Sequence, residues 1–255
     1  MNRTKVDFIM PLSTHLPLKI MGAATLVVAS FLSAQPAPPM IGSTGWEDWS
    51  GDPQNWSIAD GVITGQSTAD RPIEANTFLV YKHPFADFEF RGEFKLTGET
   101  ANSGVQYRSK VLDADKWIVA GYQADMDYAN RYTGMIYEER GRGILVRPGL
   151  RLRIGTGPTP ESPVLSPLKG DATPEKTLKR VIRQGEWNEI HIIAQGNHIR
   201  HFVNGVLTAE AIDEDAQHAA TSGVLALQLH RGPPMTVQFR NLRISALSAQ
   251  PAPTS

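Results

Sequence analysis

The chain has 255 residues, of which 41% are hydrophobic, 8% aromatic and 20% charged, with 22 Gly, 18 Pro and no Cys. This length suits one domain of β-sandwich size, or at most two small domains. The lack of cysteine excludes disulfides, thiolate metal sites and cysteine nucleophiles. A formal net charge of −1 without a basic run gives no electrostatic reason to bind nucleic acid or an anionic membrane.

Residues 1–34 have the pattern of a secretory signal peptide. Basic residues precede an apolar run from Ile20 to Leu32, and the small residues Ser33 and Ala34 follow it. The run is shorter than the ~20 apolar residues that cross a bilayer, although an uncleaved membrane anchor is the alternative interpretation. Cleavage after Ala34 predicts a secreted or periplasmic protein that has no membrane contact once the signal is removed.

Pro/Ala-rich segments are expected to flank the folded part of the mature chain. Residues 35–44 form a stiff Pro/Ala linker, and residues 248–255 form a Pro/Ala-rich segment that we expect to be a disordered tail. The expected β-sandwich catalytic domain therefore spans residues 45–247.

Within the expected domain, apolar and polar residues alternate with the period of two that is typical of strands. Turn residues separate the alternating segments, which indicates an all-β sandwich or barrel. The ten predicted strands are Val62–Gly65, Thr77–Tyr81, Phe88–Leu96, Ser103–Arg108, Ile118–Asp125, Gly134–Glu139, Trp187–Gln195, His198–Val203, Gly223–His230 and Val237–Ser245.

Three other segments carry local signals. Asn204-Gly205 lies between two alternating runs and predicts a tight hairpin, because a type I′ turn needs positive φ at both central residues. A short helix is predicted near Asp213–Ala220. Residues 155–177 contain five prolines and three glycines and predict a long loop.

Four of the predicted strands carry an unusual set of polar residues on one face. Leu225, Leu227 and Leu229 form a clean core face on one of them, which leaves the polar residues opposite. If the four strands are neighbours in one sheet, that face collects Gln106, Arg108, Gln123, Asp125, Asp127, Glu138, Arg140, Gln228 and His230. Amides and guanidinium groups hydrogen-bond to sugar hydroxyls, and carboxyl and imidazole groups move protons. An ordinary solvated face is the alternative, and one bulge would invert a strand.

Several motifs in order resemble those of a known family. They are Asp87–Leu96 with Asn102–Val105, Gly121–Met126, Tyr137–Glu139 with Gly141–Ile144, Gly185–Glu189, Asn204-Gly205, Leu227–His230 and Phe239–Ile244. The sequence is similar to the 3-keto-disaccharide hydrolase domain family, which has a concanavalin A-like lectin/glucanase fold. The resemblance implies a two-sheet jelly-roll β-sandwich that acts on sugars oxidised at C3. Many members carry Glu where this chain has Gln123-Ala124-Asp125, so that Asp125 would serve instead.

A ketone at C3 acidifies the C2 proton, so that the glycosidic bond can be cleaved by elimination followed by addition of water. Such a reaction needs a base near C2, a positive group for the enolate oxygen and an acid for the leaving oxygen. We expect His230 or Asp125 to be the base and Glu138 to be the acid. The enolate would be stabilised by Arg108 or by a divalent cation.

The other polar residues are expected to bind the carbohydrate substrate. The predicted substrate contacts are Gln106, Arg108, Trp117, Gln123, Asp127, Arg140 and Gln228. A divalent cation (Ca²⁺, Mg²⁺ or Mn²⁺), if used, would be held by Asp125, Asp127 and Glu138, because hard cations prefer oxygen ligands. The sequence leaves open whether the protein uses a metal.

Three other functions remain open at this point. A retaining glycosidase needs two carboxyl groups ~5–5.5 Å apart, and Asp125 and Asp127 lie two residues apart on one strand, or ~6.5–7 Å between Cα atoms. A carbohydrate-binding module without catalysis is the second alternative, because a fold does not fix a function. A structural domain of a surface complex is the third.

Overall fold

The computed structural model describes residues 45–248. The predicted signal peptide, the linker up to residue 44 and residues 249–255 of the predicted tail lie outside the described residues. Within the described part, no helix is long and apolar enough to span a membrane.

Sixteen strands and one short helix make up the described chain. In chain order they are β1 (Trp49–Ser50), β2 (Trp56–Ala59), β3 (Val62–Ser67), β4 (Thr77–Phe85), β5 (Phe88–Thr97), β6 (Asn102–Asp113), β7 (Ile118–Asp127), β8 (Ile136–Glu139), β9 (Gly143–Val146), β10 (Arg151–Gly155), β11 (Val164–Pro167), α1 (Glu175–Val181), β12 (Asn188–Gln195), β13 (His198–Val203), β14 (Val206–Asp213), β15 (Gly223–Leu229) and β16 (Met235–Ala246).

The strands form two sheets that pack as a sandwich. The seven-stranded sheet has the order β1-β4-β15-β6-β7-β8-β9, and the nine-stranded sheet has the order β11-β10-β14-β13-β12-β5-β16-β3-β2. Strands that are neighbours in a sheet are often far apart in the sequence, as in a jelly roll. The predicted all-β, two-sheet sandwich is confirmed.

One hydrophobic core lies between the two sheets. Leu225, Leu227 and Leu229 of β15 are at most 1% exposed and join Phe90 and Phe239 of the nine-stranded sheet in this core. Burial of each such side chain contributes about 1.5–3 kcal/mol to folding. The predicted core face of this strand is confirmed, and its other face is turned away from the nine-stranded sheet.

The Asn204-Gly205 turn is also confirmed. Asn204 and Gly205 have φ values of 49° and 77°, and Val203 pairs directly with Val206 across the turn. The Asn204 side chain donates a hydrogen bond to the Val181 carbonyl (2.7 Å), which fastens the turn to the end of α1.

The predicted helix near Asp213–Ala220 is wrong, because Asp213 ends β14 and turns follow it. There the Asp215 carboxylate accepts a hydrogen bond from the Gln217 backbone N–H, a local bond that competes with helix formation. The helix lies instead at Glu175–Val181 and begins inside the predicted loop. Glu175 in its first turn and basic residues in its last turn suit the helix dipole.

Candidate functional site on the outer face of the seven-stranded sheet

The outer face of the seven-stranded sheet is the face turned away from the core, and it carries a row of connected side-chain amides. Gln106 of β6 pairs with Gln123 of β7, and their amides are 2.9 Å apart. The Gln123 Nε2 atom lies 3.4 Å from both Asp125 Oδ1 and Gln228 Oε1. Four predicted site residues from three strands, β6, β7 and β15, are therefore brought together.

Asp125 is the most perturbed acid of this face. Its carboxyl group accepts a hydrogen bond from the Met126 backbone N–H (2.9 Å), and the residue is 4% exposed. Burial, which disfavours the charged carboxylate, raises the pKa of Asp125 to about 8, and the negative charges of Asp127 and Glu139 add to this effect. At neutral pH most of the Asp125 side chains carry a proton.

Glu139 continues the row on β8. Its two carboxylate oxygens lie 3.3 Å from the Asn76 amide nitrogen, and one of them lies 3.5 Å from Gln228 Nε2. Burial raises the pKa of Glu139, although the Asn76 hydrogen bond and the positive charges of Arg140, His230 and Arg231 oppose the shift. Burial thus favours the protonated form of the Glu139 carboxyl group.

Two cavities meet at Glu139 and Arg140. The first cavity has a volume of about 290 Å³ and is lined by Ala75, Asn76, Tyr137, Glu139, Arg140, His230 and Arg231. The second cavity has a volume of about 360 Å³ and also contains Lys110, Glu138, Arg142, Gln217, His218 and Ser222 in its wall. The first cavity collects a carboxyl group, an imidazole, a phenol and two guanidinium groups around one space.

The predicted face of Glu138 is wrong. Glu138 pairs with Tyr122 in the β7–β8 register, which turns its side chain towards the sandwich interior. There Glu138 receives two hydrogen bonds from the Arg142 guanidinium, at 2.7 and 3.0 Å. The guanidinium also contacts Asp213 at 2.7 Å and Asp215 at 3.4 Å. Burial would lower the pKa of Arg142, but hydrogen bonds to Glu138 and Asp213 outweigh it and raise the pKa.

The neighbouring residue Ile136 identifies which face of β8 is turned towards the core. Ile136 shares a face with Glu138 and is fully buried in the core. Tyr137 pairs with Gln123 in the register, so that Tyr137 and Glu139 share the face of the amide row. Strand parity correctly groups Ile136 with Glu138, but the buried aliphatic Ile136 marks this as the inner side of β8, which leaves Glu139 on the outer side.

Arg108 does not project from the outer face as predicted. The β6–β7 register shifts after Tyr107, and Arg108 has a φ of 47°. This bulge directs the guanidinium to the carbonyl oxygens of Ala86 (2.8 Å) and Gly196 (2.7 Å) and to Asp87 (3.0 Å). The side chain is 1% exposed, and all three of its nitrogens donate hydrogen bonds to loop residues, so that Arg108 serves to hold loops together.

Asp127 is occupied by the loop that follows β7. Its carboxylate accepts hydrogen bonds from the backbone N–H groups of Arg131 (3.1 Å), Tyr132 (2.7 Å) and Thr133 (3.1 Å). This use of both oxygens removes the Asp125–Asp127 pair that a retaining glycosidase on this strand would need. Asp127 serves here to shape a turn.

The three predicted cation ligands also point in different directions. Asp125 faces the amide row, Asp127 faces its own loop, and Glu138 faces Arg142. Among residues 45–248, no group of three or more His, Asp or Glu side chains is arranged to hold a metal ion. The predicted donor set is therefore not assembled.

The remaining predicted residues lie at the border of the outer face. Trp117 has a φ of 49° at the turn before β7, and its indole N–H donates to Ser50 Oγ (3.0 Å). Trp117 is partly buried and lines neither cavity. Arg140 has a φ of 54° beyond the end of β8, where strand alternation no longer applies, and it is exposed between both cavities. His230 follows β15 and lines the first cavity.

Fold and site together define a jelly-roll β-sandwich of the concanavalin A-like type with a polar outer face. Residues 42–245 match the model of the 3-keto-alpha-glucoside-1,2-lyase-like domain, and the chain belongs to this family. None of the curated proteins compared with the chain matches it. Membership of this family indicates a carbohydrate-related function of the glycosidase type.

Solved structures with the same fold agree with this assignment. A candidate glycosyl hydrolase from Parabacteroides distasonis ATCC 8503 is 20% identical, with a TM-score of 0.52 over 84% of this chain and 100% of that chain. A second one from the same organism is 19% identical, with a TM-score of 0.52 over 81% and 91%. A protein from Bacillus subtilis with a galectin-like fold is 11% identical, with a TM-score of 0.50 over 80% and 91%.

The burial of Asp125 predicts an unusual pH dependence of stability. Its folded-state pKa of about 8 lies above the ordinary value of 3.8, so the folded protein binds the proton more tightly than the unfolded chain does. The Asp125 contribution to stability is therefore complete below pH 4 and is lost as the pH rises to 8. In Asp125→Asn this loss is absent, because the amide keeps the acceptor oxygen and carries no charge.

We expect Asp125→Asn to raise the free energy of unfolding at pH 8 by on the order of 2 kcal/mol relative to its effect at pH 4. Thermal unfolding of both proteins between pH 4 and pH 8.5 measures this difference, which corresponds to roughly 4–8 °C. Asp113→Asn, in the exposed β6–β7 hairpin, is the matched control. Parallel pH curves for the wild type and Asp125→Asn would show that Asp125 is already ionised in the folded protein.

Proposed function

We propose that the protein cleaves the glycosidic bond of 3-keto glycosides or 3-keto disaccharides by elimination and hydration in the first cavity. The observation that carries this proposal is the position of Glu139, a carboxyl group with a raised pKa beside His230 and two guanidinium groups. Neither the Arg140 nor the Arg231 guanidinium makes a hydrogen bond or salt bridge to another described residue. Both are thus available to a bound ligand.

Each step of this reaction requires one group of a specific kind. A base removes the C2 proton, and the electrons of that C–H bond form an enolate with the C3 carbonyl. When the carbonyl re-forms, the bond between C1 and the glycosidic oxygen breaks, and an acid protonates the leaving oxygen. Water then adds to C1 and a proton returns to C2, which gives the free 3-keto sugar.

We assign the base to His230 and the positive partner of the enolate oxygen to Arg231. Both residues line the first cavity, and His230 Nδ1 lies 2.5 Å from the Arg231 carbonyl oxygen. This contact fixes the Nδ1 side of the ring, so that Nε2 is the nitrogen available to a substrate proton. A guanidinium group stabilises an enolate by charge and by directional hydrogen bonds.

Glu139 replaces Glu138 as the proposed acid. Glu139 lines both cavities. A glycosidic bond that joins a sugar in one cavity to a leaving group in the other would therefore lie next to its carboxyl group. Burial raises the pKa of Glu139, and this direction favours the protonated form that an acid catalyst requires. Asn76 and Gln228 hold the carboxyl group in place.

The buried amide row contacts Glu139 through Gln228. Gln106, Gln123 and Gln228 are each at most 2% exposed and line neither cavity. We propose that these three glutamines and Asp125 position Glu139 rather than contact the substrate. We also propose, from the N-terminal sequence pattern, that the protein is exported and acts in the periplasm or outside the cell.

The experiment that tests the proposed function compares two substrates of the purified protein. One is a chromogenic 3-keto glucoside and the other is the same glucoside without the ketone, each in both anomeric forms and with or without EDTA. We expect aglycone release from the keto substrate only. Release from the unoxidised glucoside would favour an ordinary glycosidase, and binding of sugars without release from either would favour a carbohydrate-binding module.

A further inference from the structure

The second cavity adjoins the first and differs from it in the charges of its wall. We propose that it binds the leaving group of the substrate and that it favours a leaving group with a carboxylate or phosphate substituent. This inference rests on the proposed function, because it takes Glu139 as the point where the cleaved bond lies. Glu139 lines both cavities, which have volumes of about 290 and 360 Å³, and ligand sites in proteins start at about 300 Å³.

Two cationic side chains of the second cavity make no hydrogen bond or salt bridge within residues 45–248. Lys110 follows the β6 bulge, is exposed and makes no hydrogen bond or salt bridge to any of residues 45–248. Arg140 lines the same cavity and also makes no hydrogen bond or salt bridge there, although its charge acts on the neighbouring Glu139. Two cationic side chains that line one cavity and are not held in an ion pair give it a positive local potential.

The anionic residues of the wall do not cancel this potential. Glu138 is bound by Arg142, which also holds Asp213 and Asp215. Burial raises the pKa of Glu139, which disfavours its charged form, and among the described residues Glu139 is the one wall carboxylate that forms no salt bridge with an arginine. The cavity thus offers one ammonium and one guanidinium group to a ligand, a combination that suits carboxylate or phosphate oxygens.

Another part of the wall of the second cavity is held by hydrogen bonds to Asp215. Asp215 accepts hydrogen bonds from Thr156 Oγ1 (2.9 Å) and from the Gln217 backbone N–H (3.2 Å). It also contacts His218 Nδ1 at 2.9 Å. Gln217 and His218, which line the cavity, are therefore fixed before a ligand binds, and pre-ordered polar groups lose little entropy on binding.

The test uses two 3-keto glucosides whose phenolic leaving groups carry either a carboxylate or its methyl ester at the position para to the glycosidic oxygen. We would measure kcat/KM for both substrates with the wild type, Lys110→Gln and Lys116→Gln. Lys116 is an exposed lysine that pairs with Asp113 and lines neither cavity. The ratio of the two kcat/KM values removes differences in intrinsic leaving-group reactivity, because these are the same for all three proteins.

We expect Lys110→Gln to lower the carboxylate-to-ester ratio three- to tenfold and Lys116→Gln to leave it unchanged. Added salt should lower the wild-type ratio and should have less effect on that of Lys110→Gln. An unchanged ratio in Lys110→Gln, or an equal fall in both variants, would overturn the inference.

Failure of the proposed reaction gives a different result from failure of the proposed anion selectivity. If neither keto substrate is cleaved, the proposed reaction is wrong, and titration calorimetry with gluconate and glucose still tests the second cavity. Gluconate binding that is tighter than glucose binding and that weakens three- to tenfold in Lys110→Gln would support an anion-selective site. Equal binding of the two ligands, or no binding of gluconate, would overturn it.

Discussion

Glu139→Gln is expected to lower kcat/KM for a 3-keto glucoside by about 100- to 10,000-fold, the range that a positioned acid contributes. Glutamine preserves the shape of the side chain and can still interact with Asn76 and Gln228, but it has no proton to give to the leaving oxygen. Because the change removes a partly buried acid without creating a cavity, the unfolding temperature should stay close to that of the wild type. Aglycone release and thermal unfolding measure the two effects separately.

Glu138→Gln is the matched control, since it makes the same chemical change one residue away on the opposite face of β8. It should lower stability, because it removes the charge that Arg142 contacts at 2.7 Å. Activity per folded molecule should remain within several-fold of the wild type. The reverse result, a large loss of activity in Glu138→Gln and none in Glu139→Gln, would contradict the placement of the site.

Arg142→Met is expected to lower the free energy of unfolding by about 3–5 kcal/mol. The Arg142 side chain is fully buried and contacts Glu138, Asp213 and Asp215. Its removal leaves three buried carboxylates close together with no arginine to balance them, while Tyr122 still donates a hydrogen bond to Asp213. Urea denaturation at neutral pH measures the loss.

Lys179→Met is the control for this second prediction. Lys179 pairs with Glu175 on α1, but both side chains are more than 70% exposed, so the unfolding midpoint should not change measurably. Lower pH should partly restore the stability of Arg142→Met, because protonation neutralises the carboxylates left behind. If Arg142→Met were as stable as the wild type, the buried ion cluster would not be a main support of the β8–β9 hairpin.

Glu139→Gln and Arg142→Met both change the short segment around the β8–β9 turn. Glu138 and Glu139 are neighbours, and the turn from Arg140 to Arg142 joins β8 to β9. The inward side chain fastens the hairpin to the core through Arg142, and the outward side chain faces both cavities. The ion cluster inside the sandwich thereby positions the proposed acid outside it.

The fold was predictable because its signals are local and repeated. The alternation at Leu225, Leu227 and Leu229 identified a core face directly, and Asn204-Gly205 identified a turn. Both signals depend on few neighbouring residues and on strong backbone or solvation preferences. The missed helix at Glu175–Val181 has only one buried residue, Leu178, and so lacks a clear apolar stripe.

The site was only partly predictable, because strand alternation fails where a bulge or a turn intervenes. Gln123 and Asp125 lie inside a regular stretch of β7 and were placed on the correct face. Arg108 follows a register shift and Arg140 follows the end of a strand, both with positive φ. Asn76, the partner of Glu139, lies 63 positions away in the sequence, and no local pattern could have connected the two.

Proton removal at C2 can be detected from the position of deuterium in the product. A 3-keto glucoside would be cleaved in D₂O, and the released 3-keto sugar would be examined by NMR before it exchanges on its own, with the free 3-keto sugar as the control. Elimination followed by hydration predicts deuterium at C2, because the proton that returns to C2 comes from solvent. A product that keeps its original hydrogen at C2 would contradict elimination and would indicate direct displacement at C1.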